Sequence, residues 1–145
     1  MAAPNSRSGL ILSVNAGSSS LKISLFRLIP SLSSQTRGLK EPTELLLESS
    51  ISNITAPPAI FSFKFAPAAP KKGREAKKQH PEAITDHNTA FHYFLDYLKR
   101  EAGIDRSQIV HICHRIVHGG YYFEPVVVND ESFASLKETA ALAPL

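Results

Sequence analysis

Residues Leu10 to Asn15 form a nearly unbroken apolar run, whereas Leu21-Lys-Ile-Ser-Leu-Phe26 alternates apolar and polar positions with a period of two. An apolar run bounded by turn residues predicts a buried strand, and alternation predicts a strand with one face on a core and the other in water. The small residues between them suit a reversal, so the pair reads as an antiparallel hairpin. Pro30, Pro42 and a serine-rich stretch make 29–43 an irregular connection. Glu44-Leu-Leu-Leu-Glu-Ser-Ser-Ile51 predicts a third strand, closed off by Pro57-Pro58, and Ile60-Phe-Ser-Phe-Lys-Phe65 alternates again as an edge strand.

From Thr85 the period changes: Phe91, Phe94, Leu95, Leu98 and Ala102 recur at helical spacing on one face. Thr85 or Asp86 supplies an N-cap, Lys99 and Arg100 suit the negative end of the helix dipole, and Gly103 suits the stop. His87, His92, Tyr93 and Tyr97 are read as core-edge or surface residues of this helix. Gln108-Ile-Val-His-Ile-Cys-His114 reads as a further strand ending at Arg115 and a Gly119-Gly120 turn, and 131–141 as a second helix. Three or four strands, a helix, a strand and a helix fit a mixed α/β sheet with antiparallel leading strands and a parallel strand entered through a helix. No internal repeat is visible.

Composition narrows the class. At 145 residues, 43% hydrophobic and 20% charged, the chain has the make-up of a globular domain rather than a disordered segment. One cysteine excludes an internal disulfide framework, and the cytoplasm is the expected compartment. The first nine residues hold no apolar signal core, and no run reaches the roughly 18 apolar residues of a membrane span. The net charge of +3 sits largely in Lys71-Lys-Gly-Arg-Glu-Ala-Lys-Lys78, which follows Pro67 and Pro70. Without interleaved aromatics, that run reads as a solvated loop rather than a nucleic-acid surface.

Two places carry candidate chemistry. In the hairpin turn, Gly17 offers unusual backbone angles, Ser18, Ser19 and Ser20 offer hydroxyl donors, and Lys22 adds a positive charge, which together suit a phosphate; an ordinary serine-rich turn is the competing reading. Arg115 at a strand end suits a carboxylate or phosphate, because its guanidinium donates two parallel hydrogen bonds; a surface salt bridge is the alternative. His114 and His118 are read as structural, Gly119 and Gly120 as permitting a tight turn beside a ligand, and Cys113 as a buried inert thiol.

Asn15-Ala-Gly-Ser-Ser-Ser-Leu-Lys22 resembles the N-terminal signature of the acetate kinase family, and His114-Arg-Ile-Val-His-Gly-Gly120 resembles its next signature, in the same order. Ile84-Thr-Asp-His87 and the closing Leu142-Ala-Pro-Leu145 are similar to further landmarks of that family. Ala16 and the His-Arg-x-Val-His-Gly-Gly wording favour this branch over butyrate kinases, while Cys113 departs from the glycine that many members carry. The resemblance implies a mixed-sheet ribonuclease-H-like core of the acetate and sugar kinase, actin and chaperone ATPase superfamily. It also implies that 1–145 is an N-terminal domain, incomplete at its C-terminal end, with loop insertions at 29–43 and 66–83.

The activity implied is magnesium-dependent phosphoryl transfer between ATP and acetate, giving ADP and acetyl phosphate. By the resemblance, Asn15 helps hold the magnesium-bound nucleotide, Gly17, Ser18 and Ser20 lie against its phosphates, Lys22 contacts ATP, and Arg115 binds acetate or acetyl phosphate. The family's catalytic groups match positions beyond Leu145, so no catalytic residue is identified within the chain. A homodimer is implied for the complete enzyme, with no nucleic-acid or membrane partner. A catalytically silent nucleotide- or phosphate-binding module remains the alternative, followed by a basic nucleic-acid binder using residues 71–78.

Overall fold

The leading apolar and alternating runs form strands β1 (Leu10–Ala16) and β2 (Leu21–Leu28), antiparallel with Leu12 opposite Leu25 and Asn15 opposite Lys22. They belong to a computed structural model that describes residues 9–29, 43–116 and 119–140. The chain divides between His114 and Arg115 into two compact units. In the first unit, β3 (Thr43–Ser52), β4 (Ile60–Phe65), β5 (Ala76–Gln79) and β6 (Ile109–His114) complete a six-stranded sheet ordered β5-β4-β3-β2-β1-β6. Every neighbouring pair is antiparallel except β1 and β6, which are parallel. Parallel strands cannot be joined by a tight turn, and the helix α1 (His87–Tyr97) in the connection to β6 supplies the crossover.

The two faces of the sheet follow the alternation. Leu12 and Val14 on β1, Leu21, Ile23 and Leu25 on β2, and Phe61, Phe63 and Phe65 on β4 are buried together with Ala90, Phe94, Tyr97 and Leu98 of the helical segment. Ser13, Asn15, Lys22, Glu48 and Ser50 occupy the opposite, exposed positions. Phe63 and Phe61 pack against Tyr97 with ring centroids 4.8 and 5.0 Å apart. Tyr97 is therefore a core residue, only 2% exposed, and not the edge residue that the helical stripe suggested. Its hydroxyl escapes the cost of burial by donating to the Arg74 carbonyl at 2.8 Å.

Asp86 is the N-cap of α1: its carboxylate accepts from the Thr89 amide at 2.7 Å, while the Thr89 hydroxyl accepts from the Asp86 amide at 3.0 Å. The helix continues through wider π-type turns over Leu98–Ala102 and stops at Gly103, whose φ of 67° is left-handed. Asp105 then caps a single 3₁₀ turn over Arg106–Gln108 and leads into β6.

The basic run differs from the loop expected for it. Residues 76–79 form β5, with Ala76 buried and Lys77, Lys78 and Gln79 exposed on an edge strand, where lysines discourage pairing with another chain. Carboxylates tie the run down: Glu75 accepts from the Phe65 amide at 3.0 Å, and Glu101 accepts from the Arg74 amide at 2.8 Å. A strand of four residues with one apolar side chain leaves no periodicity to read. Cys113 also differs, being exposed rather than buried, because β6 is the other edge of the sheet and Val110 and Ile112 beside it are half-exposed as well.

In the second unit, helix α2 (Asp130–Ala140) is capped by Asn129, whose side chain accepts from the Ser132 amide at 2.9 Å while the Ser132 hydroxyl accepts from the Asn129 amide at 2.8 Å. Gly120 has a φ of 60°, and the Gly119 carbonyl accepts from the Tyr122 amide at 3.0 Å, so the expected tight turn is present. Tyr121 and Phe123 are 90% and 93% exposed. His118, part of the proposed insertion at 29–43, and the closing Leu142-Ala-Pro-Leu145 lie outside the described residues.

Candidate phosphate-binding site

The turn joining β1 to β2 is closed by its own backbone, with the Gly17 amide donating to the Ser20 carbonyl at 2.9 Å. Glycine is needed there for space and not for a left-handed angle, which among the described glycines only Gly103 and Gly120 adopt. A Cβ on Gly17 would lie 2.6 Å from the Ser20 Oγ. A side chain at 17 would therefore have to move the Ser20 hydroxyl, and no left-handed angle stands against it.

Two other elements brace this turn. From the β3–β4 connection, the Ile54 amide donates to the Ser19 carbonyl at 3.1 Å, the Thr55 amide to the Ser19 Oγ at 3.1 Å, and the Thr55 hydroxyl to the same Oγ at 2.8 Å. The Ser19 Oγ thus accepts twice from Thr55. From α1, the His87 Nε2 lies 2.7 Å from the Gly17 carbonyl oxygen. A carbonyl oxygen only accepts, so Nε2 carries the proton. The exposed Ser18 has no hydrogen bond from its amide or hydroxyl to another described residue. Two donors are left at the tip of a turn whose flanks are both held.

Asn15 and Lys22 are cross-strand partners just below the turn, and both are exposed on the same face of the sheet. Partners in such a register hold their Cβ atoms about 5 Å apart, close enough to act on one group. Lys22 makes no ion pair among the described residues and faces an open groove shared with Ser24, Glu48, Ser50, Ser62 and Lys64. Beside the turn, hydrogen bonds from Thr89 hold the Asp86 carboxyl below its ordinary 3.8, so the cap that seats His87 stays ionised.

The structure brings Asn15, Gly17, Ser18, Ser20 and Lys22 together within the first unit. His114 ends β6 opposite Val14 in the register. Arg115, exposed, is the first residue of the second unit. Among the described residues, no three His, Cys, Asp or Glu side chains cluster as metal ligands. No helix among them is long and apolar enough to cross a membrane. The sequence reading missed the His87 and Thr55 braces. Ile84-Thr-Asp-His87 had marked the place, but a histidine at a helix start carries no signal of the turn it touches 70 positions earlier.

The Acetokinase family profile matches residues 10–145. A probable acetate kinase of Emericella nidulans is 39% identical over 141 residues, covering 93% of this chain and 29% of that protein. Acetate kinase 2 of Listeria monocytogenes is 34% identical over 137 residues, covering 93% and 30%. The chain therefore spans less than a third of the length of these relatives. A propionate kinase structure from Francisella tularensis superposes with a TM-score of 0.66 at 27% identity, covering 94% of this chain and 30% of that one. The Porphyromonas gingivalis acetate kinase structure superposes with a TM-score of 0.70 at 24% identity, covering 94% and 31%, a likeness of fold alone. The mixed sheet expected from the motifs is the fold shared with these kinases. With a braced serine turn at the head of its first hairpin and a family match running from Leu10 to Leu145, the chain belongs to the acetokinase family.

Proposed function

We propose that this chain contributes the nucleotide-phosphate grip of a magnesium-dependent acetate kinase, which transfers the terminal phosphoryl group of ATP to acetate to give ADP and acetyl phosphate. The observation that carries the reading is the β1–β2 turn, held on both flanks by His87 and Thr55 while the Ser18 donors are left uncommitted, with Lys22 and Asn15 paired beneath it. In the transfer, a carboxylate oxygen of acetate bonds to the terminal phosphorus as the bond to the ADP oxygen breaks. Little covalent work falls to the protein, and the demand is for alignment and neutralised charge.

The residues fit that demand in part. Ser18 and Ser20 supply hydrogen-bond donors to phosphate oxygens, and Lys22 opposes their charge. Asn15 would supply one neutral oxygen for a magnesium ion, which would offset the charge of the nucleotide's phosphates. Arg115 would grip the carboxylate of acetate or the phosphate of acetyl phosphate with two parallel hydrogen bonds. A cytoplasmic location and a homodimer of the complete enzyme belong to the same reading.

A second reading is a nucleotide-binding module without turnover, which needs only the braced turn and Lys22. Calorimetric titration with magnesium-ATP, paired with an assay for acetate-dependent ADP release, separates the two. Binding that weakens at least tenfold in Lys22→Ala supports the phosphate grip, and acetate-dependent release lost in Arg115→Ala supports the kinase. Binding without acetate-dependent release supports the silent module, and binding unchanged by Lys22→Ala removes the phosphate assignment.

A further inference from the structure

The peptide unit between Gly17 and Ser18 is held at one end only. Its carbonyl oxygen accepts from the His87 Nε2 at 2.7 Å, and its amide, that of Ser18, meets no described residue. In a trans peptide the carbonyl and the amide point in opposite directions across one plane. A grip on the oxygen therefore sets the direction of the N–H. Gly17 is the residue at which that plane would otherwise turn most freely, since glycine has no Cβ to restrict rotation about its own bonds. His87 is itself seated: it is the first residue of α1, directly after the Asp86 cap and its reciprocal bonds with Thr89. The far side of the turn is independently fixed by Ile54 and Thr55 on Ser19. The Gly17–Ser18 peptide is thus the one part of the turn whose orientation depends on a single side chain.

We propose that His87 is a positioning residue, which locks the Gly17–Ser18 peptide so that the Ser18 amide is presented to a nucleotide phosphate oxygen. The assignment rests on the reading of the turn as a phosphate grip. His87 touches no nucleotide; it removes in advance the rotation that binding would otherwise have to arrest, so its effect falls on nucleotide affinity. Glutamine at the same place keeps an N–H donor at about the reach of Nε2, whereas alanine removes it.

The test uses the 145-residue chain in four forms: the natural sequence, His87→Ala, His87→Gln and Lys22→Ala. Each is titrated with magnesium-ATP, and the amide exchange of Ser18 is followed beside that of Ile23 and Leu25 in β2. The expected result is an affinity about tenfold lower in His87→Ala, the size of one lost neutral hydrogen bond, and restored to within about twofold in His87→Gln. With magnesium-ATP bound, exchange at Ser18 should be faster in the alanine variant than in the natural chain, while Ile23 and Leu25 keep their protection. Natural affinity in His87→Ala overturns the proposal, as does a glutamine variant as weak as the alanine one. Parallel loss of protection at Ile23 and Leu25, or a chain that unfolds in both His87 variants, assigns His87 to general stability and overturns it too. A chain that does not bind magnesium-ATP, or binds it equally well as Lys22→Ala, removes the phosphate grip and with it the proposal. Weakening in Lys22→Ala without weakening in His87→Ala removes the proposal alone.

Discussion

Gly17 closes the β1–β2 turn, its amide donating to the Ser20 carbonyl at 2.9 Å. Its place in the turn was legible, but the constraint is the Ser20 Oγ, which a Cβ would approach to 2.6 Å. Because that oxygen ends a short side chain free to change rotamer, Gly17→Ala is expected to cost less than about 1 kcal/mol of stability, yet to displace Ser20 and weaken magnesium-ATP binding. Thermal melts and a nucleotide titration check the two effects separately. Tyr97 belongs to the same scale. Tyr97→Phe leaves the ring packing and orphans the Arg74 carbonyl, an expected loss of about 1 kcal/mol by denaturant melts, whereas Phe94→Ala, which empties a core site, is expected to cost about 3–5 kcal/mol. The sequence pattern placed Phe94 in the core because one helical stripe sufficed. Tyr97 was not placed there because its burial depends on an aromatic layer from β4 that helical spacing does not encode.

Among the elements, the hairpin, β3, β4 and α1 were legible from an apolar run or a periodicity of their own, although β4, expected at an edge, is an inner strand because β5 pairs outside it. β5 was not, since it holds one apolar residue and is secured by its pairing with β4 and by the Lys78 amide donating to the Ser62 Oγ at 3.2 Å, not by an apolar pattern of its own. The segment running from α1 into β6 carries the clearest pH prediction. Hydrogen bonds from Ser107, and then Lys99, hold the Asp105 carboxyl down from its ordinary 3.8 to about 2. A carboxyl whose folded value is depressed favours the folded state above its unfolded value, and that support is lost as the pH falls through the folded one. Stability is therefore expected to decline between pH 3.8 and about 2, and Asp105→Asn should make the decline shallower in acid titrations followed by circular dichroism. At the other end, Asp86→Ala removes the cap of α1, with a lower melting temperature and faster amide exchange at Thr89 as the expected result.

At the scale of the molecule, the pattern of strands and one crossover helix indicated a mixed sheet, and only the motif strings pointed to a particular family. The sheet order, with β6 parallel to β1, depends on pairings between residues about a hundred positions apart, such as Leu12 with Ile112, which no local pattern specifies. Separation along the chain also hid the braces on the turn, since His87 meets Gly17 across 70 positions and Thr55 meets Ser19 across 36. The assembled first unit is expected to present the turn before β2 to the phosphates of ATP. The most direct measurement is a chemical-shift map of the isotope-labelled chain titrated with magnesium-ATP. Perturbations concentrated on Gly17 to Lys22, with His87 and Asn15 following, are the result expected. Perturbations centred on Lys71 to Lys78, or absent from the turn at saturating nucleotide, would contradict it.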